Sequence, residues 1–89
     1  MGNGEFISKC KDIVGFYASG YNGSILTTDD IYVVWVCKTL QNNKALLSTT
    51  REDGLYYEIT YNGDKKEFYF DVYKKQNNIR IGEKDLWEK

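Results

Sequence analysis

The sequence predicts an α+β fold, an N-terminal amphipathic helix packed on a four- to five-stranded antiparallel β-meander, from three observations. Phe6, Ile7, Cys10, Ile13, Val14 and Tyr17 recur at spacings of three and four, which puts them on one stripe of a helix. From Ile31 onward, runs of β-branched and aromatic residues replace that period, and in the later runs apolar and polar residues alternate. Those runs are separated by short turn signals with no second helical pattern between them, so the strands are expected to be joined directly as hairpins.

The helix is expected from Glu5 to Ser19, with Ser8, Lys9, Lys11 and Asp12 opposite the apolar stripe. Asn3 suits the N-cap, Glu5 the positive end of the helix dipole, and Gly20 the left-handed position just past the end. Gly15 costs about 1 kcal/mol of helix propensity relative to Ala, which points to close packing at that position. The connection from Gly20 to Asp30 is rich in turn residues, and Thr27 and Asp30 have capping-box spacing, so one helical turn is expected there. Ile31–Cys37 reads as a strand that is apolar on both faces, which suggests a central position or a second face covered by more chain or by a partner. Strict alternation places Trp35 with Ile31, Val33 and Cys37, as a core or interface anchor.

Asn42-Asn43 is expected to turn the chain into the strand Lys44–Thr49. Arg51-Glu52-Asp53-Gly54 fits a turn ending in a left-handed glycine, and it leads into Leu55–Tyr61. Asn62-Gly63, the strongest hairpin signal in the chain, leads into Lys65–Lys74. After a loop at Lys75–Asn78, Ile79-Arg80-Ile81 reads as a short edge strand, and nothing places the tail through Leu86 and Trp87. Leu55, Tyr57, Ile59 and Tyr61 share one face of the third strand, and Phe68, Phe70 and Val72 share one face of the fourth; these form the surface under the helix. A two-residue Asn62-Gly63 turn would set Glu58 against Glu67, whereas a four-residue loop avoids that pair and keeps the same faces.

Residues 1–89 make one domain, and its 16% aromatic content, including eight Tyr, supplies an efficient core for so short a chain. Twelve basic and thirteen acidic residues give a net charge of −1, which argues against a general nucleic-acid coat protein. Histidine is absent, which removes the commonest acid/base group and a common metal ligand. Cys10 and Cys37 form no CxxC and are expected to be buried, reduced thiols; no metal site or cofactor is expected. The absence of a basic-then-apolar N-terminal segment and of a long apolar run leads to an expected cytoplasmic location without a membrane partner.

Two blocks are distinctive, Trp35-Val36-Cys37-Lys38-Thr39-Leu40-Gln41-Asn42-Asn43-Lys44 and Tyr61-Asn62-Gly63-Asp64-Lys65. With the helix before them they resemble a family of small uncharacterised proteins of phages and prophages of Gram-positive bacteria. The resemblance is close over about half of the chain (Ile31–Lys75), looser over the helix, and absent after Lys75. It implies an accessory role in the cytoplasm of an infected or lysogenic host, and it brings no catalytic residues.

Three candidate sites emerge from the residues. The outward face of the last two strands gathers Tyr56, Glu58, Tyr69, Asp71 and Tyr73, a tyrosine-rich set suited to a protein interface. The competing readings are an ordinary solvated sheet face and base stacking on single-stranded nucleic acid, which Glu58 and Asp71 would oppose by repelling phosphate. The second candidate is the polar hairpin block Lys38, Gln41, Asn42, Asn43 and Lys44, whose composition is also what a tight turn demands. The third is a carboxylate pair, Glu58 and Asp71, for acid/base chemistry, but no nucleophile or phosphate-binding motif accompanies it.

The expectation that follows is a non-catalytic phage accessory protein that binds and modulates or inhibits a bacterial host protein, such as a defence component, through an aromatic sheet face. The alternatives are a single-stranded nucleic-acid-binding module and a small structural, self-associating phage protein. The doubly apolar first strand further suggests a homodimer across a sheet face or edge.

Overall fold

A computed structural model describes residues 1–22 and 27–84, with the backbone alone at 20–22. Helix α1 (Asn3–Asn22) and a 3-10 turn (Thr28–Asp30) precede four strands, β1 (Ile31–Thr39), β2 (Asn42–Thr49), β3 (Leu55–Asn62) and β4 (Glu67–Lys74). The strands form one antiparallel sheet in the order β1-β2-β3-β4. The architecture is therefore the expected α+β meander, with four strands. Ile79-Arg80-Ile81 adds no fifth strand: it is irregular, and Ile79 and Ile81 are exposed. The positions of Leu86 and Trp87, and the Asn22-Gly23 turn beyond Asn22, lie outside the described residues.

α1 is longer than its apolar stripe. The Gly2 carbonyl accepts the first helical hydrogen bond, from the Phe6 N–H at 2.9 Å, so Gly2 holds the capping position expected for Asn3. First-turn N–H groups need no helical acceptor, so Asn3 and Gly4 cost little there. At the other end the helix continues through Gly20 to Asn22. The Arg51 guanidinium donates to the Ala18 carbonyl at 3.0 Å and ties this last part of the helix to the β2–β3 loop.

Phe6, Cys10, Val14 and Ala18, one residue per turn, are the buried line of α1. Phe6, Cys10 and Val14 meet Ile31, Ala45, Leu47, Tyr57 and Ile59, the fully covered centre of the sheet. The helix backbone lies over β1 and β2 and reaches the far strands through rings. Tyr17 packs edge-on to Tyr57 at 6.0 Å and to Phe70 at 5.3 Å, and Phe6 stacks on Phe68 at 6.4 Å. Phe68, Phe70 and Val72 thus face the helix side as expected, but at its rim, where Phe68 and Val72 stay 37% and 38% exposed.

Gly15 sits where α1 crosses β1, and a Cβ there would lie 3.5 Å from the Ile31 Cδ1, an ordinary contact. The packing therefore does not require glycine. Gly15→Ala should raise stability by about 0.5–1 kcal/mol, read as a higher denaturant midpoint with an unchanged slope.

The β1–β2 turn differs from expectation, and the β3–β4 connection takes the longer of the two expected forms. The β1–β2 turn is Leu40-Gln41, with Leu40 at φ 55°, while Asn42 and Asn43 already pair with Thr39 and Lys38. The β3–β4 connection is a four-residue loop, Gly63–Lys66, closed by Asn62 opposite Glu67. Its left-handed residue is Lys66 at φ 54°, and the Asn62 side chain accepts the Asp64 and Lys65 N–H groups at 3.1 and 3.2 Å. The remaining two signals hold: Gly54 is left-handed at φ 69°, and the Thr27 N–H bonds the Asp30 carboxylate at 3.1 Å.

Candidate functional site

With α1 on one face, the other face of the sheet is covered by no described helix or strand. The register places four rows across it, from β1 to β4: Tyr32, Ser48, Tyr56, Tyr73; then Trp35, Leu46, Glu58, Asp71; then Cys37, Lys44, Thr60, Tyr69; then Thr39, Asn42, Asn62, Glu67. All five residues of the expected tyrosine face, Tyr56, Glu58, Tyr69, Asp71 and Tyr73, lie on this surface, with Tyr56 directly opposite Tyr73 and Thr60 opposite Tyr69.

Alternation did not extend the patch to β1, because β1 breaks alternation. Its register with β2 shifts between Val33 and Trp35, so the chain carries one extra residue there. Ile31, Val33 and then Val36 face the helix, while Trp35 and Cys37 turn to the open face beside Tyr32. Trp35 therefore does not share a face with Ile31 and Val33. The bulge also explains the doubly apolar sequence: β1 is an edge strand with one face on the helix and an aromatic face that no described helix or strand covers, not a central strand. Only the Ile31–Cys37 run of apolar residues, with no polar position to mark the phase, hinted at the irregularity.

The charges on the open face are arranged by neighbours. The four-residue loop removes the Glu58–Glu67 pair but sets Glu58 opposite Asp71, a like-charge contact that costs on the order of 0.2–1 kcal/mol. Lys44, one strand over, offsets it through an ion pair with Glu58 at 3.6 Å. The Tyr69 hydroxyl donates to the Glu67 carboxylate at 2.6 Å, and this bond raises the pKa of the phenol. Glu58 thus faces a carboxylate across the strands and is tied to a lysine.

The hairpin block does not converge. Asn43 points inward, is 1% exposed and donates to the Met1 carbonyl at 3.2 Å. The Asn42 side-chain oxygen accepts the Gly63 N–H at 3.2 Å, which locks the two neighbouring loops together. Lys44 is held by Glu58, Lys38 lies on the helix side opposite Asn43, and Gln41 is in the turn. These residues build the hairpin end.

The two cysteines have opposite settings. Cys10 is completely buried, and burial pushes its thiol up to about 12. Cys37 is free and exposed on the open face, contrary to the expectation of two buried thiols, because the bulge inverts its side of the strand. A thiol reagent should therefore label Cys37 in the native protein and Cys10 only on unfolding. Stability should also fall as pH rises from 9.0 toward about 12, because the unfolded Cys10 thiol ionises there while the folded one keeps its proton.

Among the described residues no helix is long and apolar enough to cross a membrane, and no group of three His, Cys, Asp or Glu could hold a metal. In comparisons with known proteins, the model of a family of unknown function, DUF6275, matches residues 7–83. No curated protein and no solved structure matches the chain.

Proposed function

The chain belongs to this family of unknown function, and from that premise we propose a role from the chemistry of the sheet: a non-catalytic accessory protein that docks a host protein on its open face. One observation carries the reading. Tyr32, Trp35, Tyr69 and Tyr73, at 47%, 41%, 45% and 52% exposed, stand on one surface that no described helix or strand covers and that spans the sheet from edge to edge. Tyrosine and tryptophan supply much contact area for little lost side-chain entropy, and they are enriched at the centres of protein interfaces. A small domain gains no stability from leaving such rings in water.

The charges narrow the partner. Among the strand residues of that face, Glu58, Glu67 and Asp71 outnumber the base Lys44, which is already paired with Glu58. The complementary surface is basic, and arginine suits it best because it pairs with carboxylates and stacks on aromatic faces. The same carboxylates oppose nucleic-acid phosphate, which disfavours base stacking. The phage and prophage setting, and with it a bacterial host factor as the partner, rests on the resemblance of the Trp35–Lys44 and Tyr61–Lys65 blocks. In that setting the protein acts in the host cytoplasm by occupying its target, without turnover.

The test is affinity capture from a Gram-positive host lysate, with variants. One stoichiometric protein should be retained by the native chain and by Phe16→Ala, which changes only the exposed outer side of α1. It should be lost from Trp35→Ala combined with Tyr73→Ala, and added salt should weaken it. Capture that survives the double variant, or a salt-sensitive gel shift with single-stranded DNA or RNA, would count against this reading.

A further inference from the structure

The two edges of the sheet are built differently. Along β1 the bulge between Val33 and Trp35 breaks the line of outward backbone groups, a common way of blunting an edge. β4 has no such device: it runs eight residues without a bulge or proline, and every residue except Phe70 is exposed. The phase of its hydrogen bonds is fixed by the Lys75 N–H, which donates to the Gly54 carbonyl at 2.7 Å. Bonded pairs alternate along an antiparallel ladder, so Tyr73, Asp71, Tyr69 and Glu67 spend their backbone groups on β3. Phe68, Phe70 and Val72 therefore turn their N–H and C=O groups to the free edge. These are the same residues whose apolar side chains stand at the rim of the helix side, with Phe68 and Val72 more than one-third exposed.

We propose that β4 pairs antiparallel with β4 of a second copy, with the two-fold axis at Phe70, to make one continuous eight-stranded sheet with both helices on the same side. Facing residues of an antiparallel pair share a sheet face, so the axis must pass through a residue position. An axis at Asp71 would set that carboxylate against its own copy, and an axis at Tyr69 would set Glu67 against the partner's Asp71. The Phe70 axis avoids both. It places Phe70 on the partner's Phe70, Phe68 on the partner's Val72, and Tyr69 on the partner's Asp71. The outward groups of Phe68, Phe70 and Val72 then form about six backbone hydrogen bonds across the axis. On the open face each Glu67 faces the partner's Tyr73 and has the partner's Lys75 and the partner's Asp71 as its two diagonal neighbours, so the attraction of one offsets the repulsion of the other. The ladder ends where Lys74 would meet the partner's Lys66. The edge is thus complementary to itself in backbone and apolar surface, in a register that sets no two carboxylates face to face.

Sedimentation equilibrium of the full chain, with amide hydrogen exchange, tests this. The mass should rise with concentration from 10.4 kDa to twice that value. The amides of Phe68, Phe70 and Val72 should gain protection along with it, while those of Tyr69 and Asp71 are protected throughout. Val72→Pro removes one outward N–H and no bond to β3, and should raise the dissociation constant at least about tenfold. Val72→Lys, which keeps the backbone, should weaken the dimer in the same direction. Trp35→Ala with Tyr32→Ala, which removes the docking-face rings of β1 at the opposite edge of the sheet, should leave dimerisation in place, so the two proposals fail separately. A chain that stays at 10.4 kDa at all concentrations, or a dimer in which the Phe68, Phe70 and Val72 amides exchange as in the monomer, overturns it.

Discussion

Phe6→Ala should remove about 3–5 kcal/mol of stability, whereas Phe16→Ala on the same helix should change it by less than about 0.5 kcal/mol. Phe6 is fully buried in the first turn of α1, stacked on Phe68 and packed into the cluster around Cys10, Ala45 and Ile59. Removing its ring loses the transfer energy of a large side chain and leaves a cavity between two rigid elements. In a domain of this size the whole stability is on the order of 5–10 kcal/mol, so one substitution takes a large share of it. Phe16 is 87% exposed and gives up almost no burial on truncation. Alanine is also the better helix former, so this change is neutral or slightly stabilising. Denaturant titrations of both variants check the contrast. Similar losses in the two would mean that α1 docks through a different face from the line Phe6, Cys10, Val14 and Ala18.

That contrast also marks how far the sequence could be read. A helix with one apolar stripe and strands with strict alternation have periods that differ, so α1, β3 and β4 and their inward faces follow from residue spacing alone. The stripe says which side of α1 is buried, but Phe16 lies outside it and the spacing predicts nothing for that ring. Strand β1 defeats the method for a definite reason. Period-two reasoning assumes one residue per register step, and the extra residue between Val33 and Trp35 reverses every side chain after it. Tyr32 and Trp35 therefore join the open face unannounced, and Cys37 turns outward. The turn at Leu40-Gln41 is illegible for a related reason. Asn42 and Asn43 have the better turn chemistry, but burial of Asn43 against the Met1 carbonyl and the bond from Asn42 to Gly63 hold them in β2. Long-range contacts overrule a local preference of a few tenths of a kcal/mol.

The same junction of loops sets the second large effect, because Gly63→Ala should cost about 1–3 kcal/mol although its backbone conformation suits any residue. Gly63 lacks the positive φ of Gly54, so left-handed strain is not the reason for glycine at this position. The reason is the approach of the neighbouring hairpin: a Cβ on Gly63 would overlap the Gln41 carbonyl oxygen and stand 2.8 Å from the Gln41 Cβ. The atoms in the way are mainly backbone, in a two-residue turn already held by the bond from Gly63 to Asn42, so they cannot yield by a side-chain rotation. The two glycines can be told apart experimentally. At Gly54 the nearest atoms to a new Cβ are 3.8 Å away and the difficulty is φ alone, so Asn, which tolerates left-handed backbone, should recover much of the loss seen with Ala. At Gly63 Asn should be no better than Ala, since any Cβ meets the same carbonyl. Chemical denaturation of the four variants reads this directly, and recovery by Asn at Gly63 would show that conformation, not the close packing of the two hairpin ends, fixes the glycine.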